Sequence, residues 1–187
     1  MDKSFPHSYE CDQMDELPGI SLLQHYYYPG ASTEGGRDGV LVRISPEDGR
    51  PWLATFAFGE ITPNGASGIF STPNPRTLCA VARGAGYFVS AAEPRSWESI
   101  AVLPIRDVRP VPHNGVIVFA NFTHLIAYDQ RGVRWRTKRL ALDDLKITEV
   151  TDMYIKGEFW DIRAGAKGTF LVDLITGASR GGIDGFE

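Results

Sequence analysis

The sequence predicts an all-β chain built of antiparallel meanders, with little helix. Three observations lead there. The 20 glycines and 12 prolines are scattered between apolar runs instead of pooled, which makes many short elements separated by turns. The dipeptides Asp48-Gly49, Asn114-Gly115 and Thr176-Gly177 each separate runs of β-branched and aromatic residues. Those runs alternate with period two or are continuously apolar, as strands are. With 187 residues, 43% of them hydrophobic, the chain can bury a core without disulfide or metal staples.

Residues 1–17 carry Asp2, Glu10, Asp12, Asp15 and Glu16 among few aliphatics, which predicts an acidic, loosely ordered lead-in. A single β domain is expected over residues 18–187. Its clearest early hairpin is Val40-Leu41-Val42-Arg43-Ile44, a turn at Pro46-Glu47-Asp48-Gly49, and Trp52-Leu53-Ala54-Thr55-Phe56-Ala57-Phe58. Residues 59–77 hold three prolines and three glycines and read as a long surface loop, with a short strand at Ile69-Phe70. Residues 78–81 and 87–89 flank an Arg83-Gly84-Ala85-Gly86 turn and form a second hairpin. Residues 96–103 fit a short helix capped by Ser96 and stopped by Pro104, and fit a strand equally well.

The second half is more regular. Val116-Ile117-Val118-Phe119 is apolar without a break, so both faces are expected to be covered and the strand interior to its sheet. His124-Leu125-Ile126-Ala127-Tyr128 follows, turns through Asp129-Gln130-Arg131-Gly132, and returns as Val133-Arg134-Trp135-Arg136-Thr137-Lys138. In residues 153–160 the set Met153, Ile155 and Phe159 alternates with Tyr154, Lys156, Glu158 and Trp160, as in a strand with one face in the core. Thr169-Phe170-Leu171-Val172-Asp173 comes next, and Leu174-Ile175-Thr176-Gly177 turns the chain again. The core is expected to include Val42, Phe56, Val89, Ile117, Phe119, Trp135, Ile155, Phe159 and Phe170.

A faint repeat runs through these elements. Gly49-Arg50-Pro51-Trp52 returns as Gly132-Val133-Arg134-Trp135, with Trp97 between them. The tryptophans stand about 45 and about 38 residues apart, within the range of propeller-blade repeats. The phrase Val116-Ile117-Val118-Phe119-Ala120, then Leu125-Ile126-Ala127-Tyr128-Asp129-Gln130-Arg131-Gly132-Val133-Arg134-Trp135, resembles one blade of the quinoprotein-type β-propellers. Phe170-Leu171-Val172-Asp173-Leu174-Ile175-Thr176-Gly177 is similar to a second. The resemblance implies blade-like meanders and no cofactor residue, because the chain has room for roughly four blades of about 40 to 45 residues. A small propeller-like or a β-sandwich arrangement fits.

Nineteen Lys and Arg against 23 Asp and Glu give a net charge of −4, which makes nucleic acid an unexpected partner. Met1-Asp2-Lys3-Ser4-Phe5-Pro6 has no basic region followed by an apolar stretch, and runs such as Val116–Ala120 are far too short to span a bilayer. A cytoplasmic protein, away from the membrane, is the expectation. Cys11 and Cys79 are too few for a cysteine framework or a zinc site and read as buried or idle thiols. His7, His25, His113 and His124 stand in no His-x-His or His-Glu-x-x-His arrangement, so neither a metal nor another cofactor is expected.

No reaction motif is present. There is no Gly-x-Ser-x-Gly elbow, and Gly84-Ala85-Gly86 runs into a strand where a phosphate cradle needs a helix N-terminus. Asp143-Asp144 and the pair Glu149 and Asp152 read as solvated loop charges. Two features stand above this background. Arg134, Arg136 and Lys138 alternate with Trp135 and are extended by Arg139, giving a cationic ladder on an acidic protein, or else an edge strand protected by charge. Tyr26 and Tyr28, in Gln24-His25-Tyr26-Tyr27-Tyr28-Pro29-Gly30, carry the polar-tipped aromatics favoured at binding surfaces, or else are ordinary strand residues, the more frequent case. Together with the blade-like meanders and the lack of a reaction motif, these six residues predict a non-catalytic bacterial binding protein that docks a partner with an acidic surface, an immunity-type role being one form of it. The alternative is a small hydrolase or sugar-modifying enzyme with His25, His113, His124, Asp143 and Asp144 converging from separate strands.

Overall fold

In the computed structural model, which describes residues 1–19, 22–59 and 65–183, the chain forms two compact units, Met1–Ile105 and Arg106–Glu187. Each unit holds two four-stranded sheets of blade type. The first sheet contains β1 (Tyr9–Met14), β2 (His25–Tyr28), β3 (Gly39–Pro46) and β4 (Trp52–Ala57), in the order β1-β3-β4-β2. The β3–β4 pair is the hairpin expected from Asp48-Gly49. Two features differ from the sequence reading. β2 lies parallel to β4, with Tyr26 opposite Ala54 and Tyr28 opposite Phe56. The N-terminal segment is no loose lead-in, because Phe5, Tyr9 and Cys11 are buried while Glu10 and Asp12 point outward. Counting acids hides that period-two alternation, which is what makes β1 a strand.

The second sheet is a meander of β5 (Gly68–Ser71), β6 (Thr77–Ala82), β7 (Ala85–Ser90) and β8 (Trp97–Ser99). β5 is the short strand expected within the 59–77 loop, of which residues 60–64 lie outside the described residues. At the β6–β7 turn Arg83 and Gly84 both take positive φ, 44° and 85°, as a two-residue primed turn requires. Residues 97–99 resolve the helix-or-strand choice in favour of a strand.

Val42, Ile44 and Phe56 of the first sheet share one core with Leu78 and Val89 of the second. Cys11 and Cys79 are buried and unbridged. Burial pushes the Cys11 thiol up to about 12 and raises that of Cys79 too, so both stay protonated and unreactive near neutral pH.

The second unit starts with β9 (Asp107–Val111), a 3₁₀ turn (Pro112–Asn114), β10 (Val116–Ala120), β11 (Leu125–Asp129) and β12 (Gly132–Arg136), ordered β12-β11-β10-β9. All five residues of β10 are buried, as its unbroken apolarity predicts. β9 carries Pro110, which an edge strand accommodates because that residue's missing donor faces away from the ladder. β13 (Lys146–Val150), β14 (Tyr154–Asp161), β15 (Ala166–Asp173) and β16 (Ser179–Gly181) form a fourth sheet in chain order.

β14 and β15 meet through a reciprocal pattern. Gly157 lies opposite Phe170 and Phe159 opposite Gly168, and a Cβ on either glycine would overlap the facing ring. Each aromatic ring thus covers a glycine on the neighbouring strand, packing that no larger residue permits. All nine residues expected in the core are buried. Met153 is the exception within its strand: it precedes β14 and is 73% exposed, so it does not share the inward face of Ile155 and Phe159.

The two Gly-x-x-Trp phrases have a common structural role. Trp52 donates its indole N–H to the carbonyl of Ala91, just past β7, at 2.8 Å. Trp135 donates to the carbonyl of Leu174, just past β15, at 2.9 Å. Each bond spans 39 residues and ties together the two sheets of its own unit. Trp97 is not a third copy; it packs edge-on against Tyr28, with ring centroids 5.9 Å apart.

Candidate partner-binding face of the second unit

β12 is an edge strand that enters from a turn closed by Asp129, whose Oδ1 accepts the backbone N–H of Arg131 at 2.7 Å. Trp135 faces inward and Arg136 outward. A bulge opposite Ala127 and Tyr128 leaves Val133 and Arg134 both exposed, because an inserted residue re-aims the side chains around it. Arg134 donates from Nη1 to the carbonyl of Asn114 at 3.0 Å. Beyond β12, Lys138 is exposed, while Thr137 is buried and its hydroxyl accepts the N–H of Leu125 at 3.0 Å.

Arg139 does more than extend the ladder. Its guanidinium donates to the carbonyls of Ala141 at 3.1 Å and Leu142 at 3.2 Å, bracing the loop that follows β12. Among the described residues neither Arg134 nor Arg139 pairs with a carboxylate. Backbone carbonyls orient these cations without cancelling their charge. Residues 106–187 hold 12 Lys and Arg, the four of this row included, against 11 Asp and Glu, whereas residues 1–105 hold 7 against 12.

His124 sits at the start of β11 beside this row. Asn121 Oδ1 accepts the N–H groups of Thr123 at 2.8 Å and His124 at 2.9 Å, and His124 Nδ1 lies 3.0 Å from the Thr123 hydroxyl. Arg106 covers the Phe122 ring, 4.9 Å from its centroid. Burial, and then the charges of Arg136 and Arg139, hold the His124 imidazole below its ordinary pKa. The unfolded chain therefore binds this proton at higher pH than the folded one, and stability falls as pH drops below about 6.5. His25, lowered by burial, acts in the same direction. We expect the urea midpoint to fall from pH 7 to pH 5 and the fall to be shallower in His124→Gln; an unchanged slope in that variant would contradict this account.

Tyr26 and Tyr28 are corrected from surface to core. Tyr26 stands edge-on to Trp52, with ring centroids 5.6 Å apart, and Tyr28 stacks on Phe56 at 5.0 Å and donates its hydroxyl to the carbonyl of Pro94 at 2.6 Å. With 8% and 2% of their surface exposed, they offer a partner nothing. The parallel pairing of β2 with β4 turns both inward, while Tyr27 points out and stacks on His25.

The groups named for an enzyme go to separate partners. His25 meets the Thr55 hydroxyl at 2.8 Å, Asp144 pairs with Lys146 at 3.1 Å, and Asp143 accepts the N–H of Asp144. Among the described residues no three His, Cys, Asp or Glu side chains gather as a metal site would require.

The structure also shows a concavity the sequence reading passes over. At the ends of β14, β15 and β16 a space of about 370 Å³ is lined by Met153, Tyr154, Leu171, Thr176, Ala178 and Arg180. Met153 and Leu171 are exposed here, as is Ile175 on the adjacent turn. The available signal is Leu171, an apolar residue at an outward position of β15, between inward Phe170 and Val172.

No protein-family model matches the chain, and no curated protein sequence matches it. Two solved structures are similar to it. One is a complex of Dbp5 from S. cerevisiae bound to Nup159, Gle1, IP6 and ADP, with 13% identity and a TM-score of 0.46, covering 97% of this chain. The other is the N-terminal domain of Nup159, with 14% identity and a TM-score of 0.45, covering 95%. This chain spans half the length of each matched chain.

Proposed function

We propose that this chain is a non-catalytic protein-binding module whose second unit presents β12 and its continuation to an acidic surface of a partner protein. The observation that carries the reading is the fixing of Arg134 and Arg139 by backbone carbonyls, without a carboxylate partner among the described residues, next to exposed Arg136 and Lys138. Cations held in place lose little freedom on binding and attract an acidic surface from a distance, which raises the association rate. The same charges and the bulge also keep the β12 edge from pairing with other sheets. The two roles separate on the sign of the charge, since any charge protects an edge but only a positive one attracts acid.

We place this binding in the cytoplasm, supported by two unbridged, buried cysteines. A bacterial immunity-type role, in which the partner is a protein to be neutralised, is one form of the reading, and the partner's identity decides it. The test is capture from the native cell with the wild-type chain and with Arg134→Glu/Arg136→Glu, followed by association kinetics on the captured protein. We expect an acidic partner in stoichiometric amount that is released by salt, and an association rate about tenfold lower for the double variant at low salt, with an unchanged far-ultraviolet spectrum. An association rate indifferent to the reversal overturns the reading.

A further inference from the structure

We propose that the concavity at the β14–β16 end is the apolar anchor of this interface: it takes one bulky apolar side chain from an acidic segment of the partner, whose neighbouring carboxylates meet Arg180 and Lys156. The inference rests on the reading of β12 given above and says what else the same partner must carry.

Chemistry on the floor and rim selects this occupant. A space of about 370 Å³ has room for a leucine or phenylalanine side chain. Met153, Leu171 and Ile175 are exposed around it, and large apolar side chains gathered at one concave place mark a binding surface. Leu171 sits in a cross-strand row between two cations, opposite Lys156 on β14 and opposite Arg180 on β16, and the row ends on β13 in Glu149, opposite Lys156. Neither cation pairs with a carboxylate among the described residues. Asp173, the acid on the wall, has its Oδ1 held on its own turn, where it accepts the N–H groups of Ile175 at 3.0 Å and Thr176 at 2.8 Å and the Thr176 hydroxyl at 2.8 Å, while its charge remains. An apolar group flanked by carboxylates complements this surface, whereas one flanked by amines does not.

Hydrogen bonds tie the rim of the concavity to the cationic strand. Arg134 bonds the carbonyl of Asn114, and Asn114 Nδ2 donates to the carbonyl of Asp152 at 3.0 Å, one residue before Met153. On the other side Trp135 bonds the carbonyl of Leu174, and its ring packs against Gly177 so closely that a Cβ there would stand 2.8 Å from it. The turn carrying Ile175 and Thr176 is therefore set by the residue next to Arg134.

The test uses the full chain and two synthetic nonapeptides of Glu, Asp and Ser that differ only in a central Phe or Ala, titrated while methyl and amide NMR shifts are followed. We expect the Phe peptide to bind at least about tenfold tighter and to shift the Met153 and Leu171 methyl signals. Ala178→Trp fills the space from an exposed position and Leu171→Glu reverses its character; each should abolish the preference for Phe, and a native amide spectrum confirms that each variant is folded. Arg134→Glu should weaken both peptides alike. Equal affinities that are still lowered by Arg134→Glu overturn the anchor and leave the β12 reading standing. A preference for Phe that survives Ala178→Trp also overturns the anchor. Affinities that ignore both Arg134→Glu and salt overturn the β12 reading and the anchor with it, as does the binding of neither peptide.

Discussion

Gly157→Val is expected to disrupt the β13–β16 sheet of the second unit and to lower its stability by about 3–5 kcal/mol. A Cβ at this position would overlap the Phe170 ring on one side and the backbone carbonyl of Lys146 on the other. Phe170 is 2% exposed and has nowhere to rotate. The Lys146 carbonyl belongs to β13, so relief there means displacing a strand and losing ladder bonds worth about 1 kcal/mol each. Valine's better strand propensity returns only about 0.5–1 kcal/mol. In urea the midpoint of the second unit should fall well below that of wild type, and adding Phe170→Leu should recover only part of the loss because the carbonyl remains. An unchanged midpoint for the single variant would show that β13 and β14 are not packed as described.

Trp135→Ala should cost about 3–5 kcal/mol, and Trp52→Ala a similar amount in the first unit. Both indoles are buried, at 7% and 4% exposure, and both donate to a carbonyl on the other sheet of their unit. Phenylalanine at either position keeps most of the ring but leaves that carbonyl without its donor, for about 1–3 kcal/mol. Hydrogen exchange locates the effect: amides of β9–β16 should lose protection in Trp135→Ala, and those of β1–β8 in Trp52→Ala. Trp160→Ala is the control, since Trp160 is half exposed on the outer face of β14 and its loss should stay within about 0.5 kcal/mol. Equal losses from Trp135→Ala and Trp160→Ala would remove the staple as an explanation for the repeated phrase.

The fold was legible where side-chain period and turn chemistry agree. β3–β4, β6–β7 and the β10–β11–β12 meander lie where apolar runs meet Asp-Gly, Arg-Gly, Asn-Gly and Arg131-Gly132 turns. β1 escaped because its acids dominate the composition, although Tyr9 and Cys11 alternate with them. β2 shows a different limit. The run His25-Tyr26-Tyr27-Tyr28 fixes a strand but not its partner, and only parallel pairing with β4 decides which tyrosines turn inward.

The candidate site divides in the same way. Outward Arg134 and Arg136 follow from alternation about Trp135, which local sequence carries. The use of Arg139 as a brace depends on where the chain runs three residues later. The concavity joins residues from the ends of three strands and one turn, a juxtaposition no local pattern encodes.

The tryptophan staples also bear on how the chain assembles as it is made. Each closes a loop of 39 residues inside its own unit, and each unit buries its own hydrophobic cluster. A ribosome that has released residue 105 has supplied everything the first staple and first core require, before any residue of the second unit emerges. By then the nascent chain holds every residue of the cluster that joins Val42, Ile44 and Phe56 to Leu78 and Val89, so that cluster can close without waiting for the last strand.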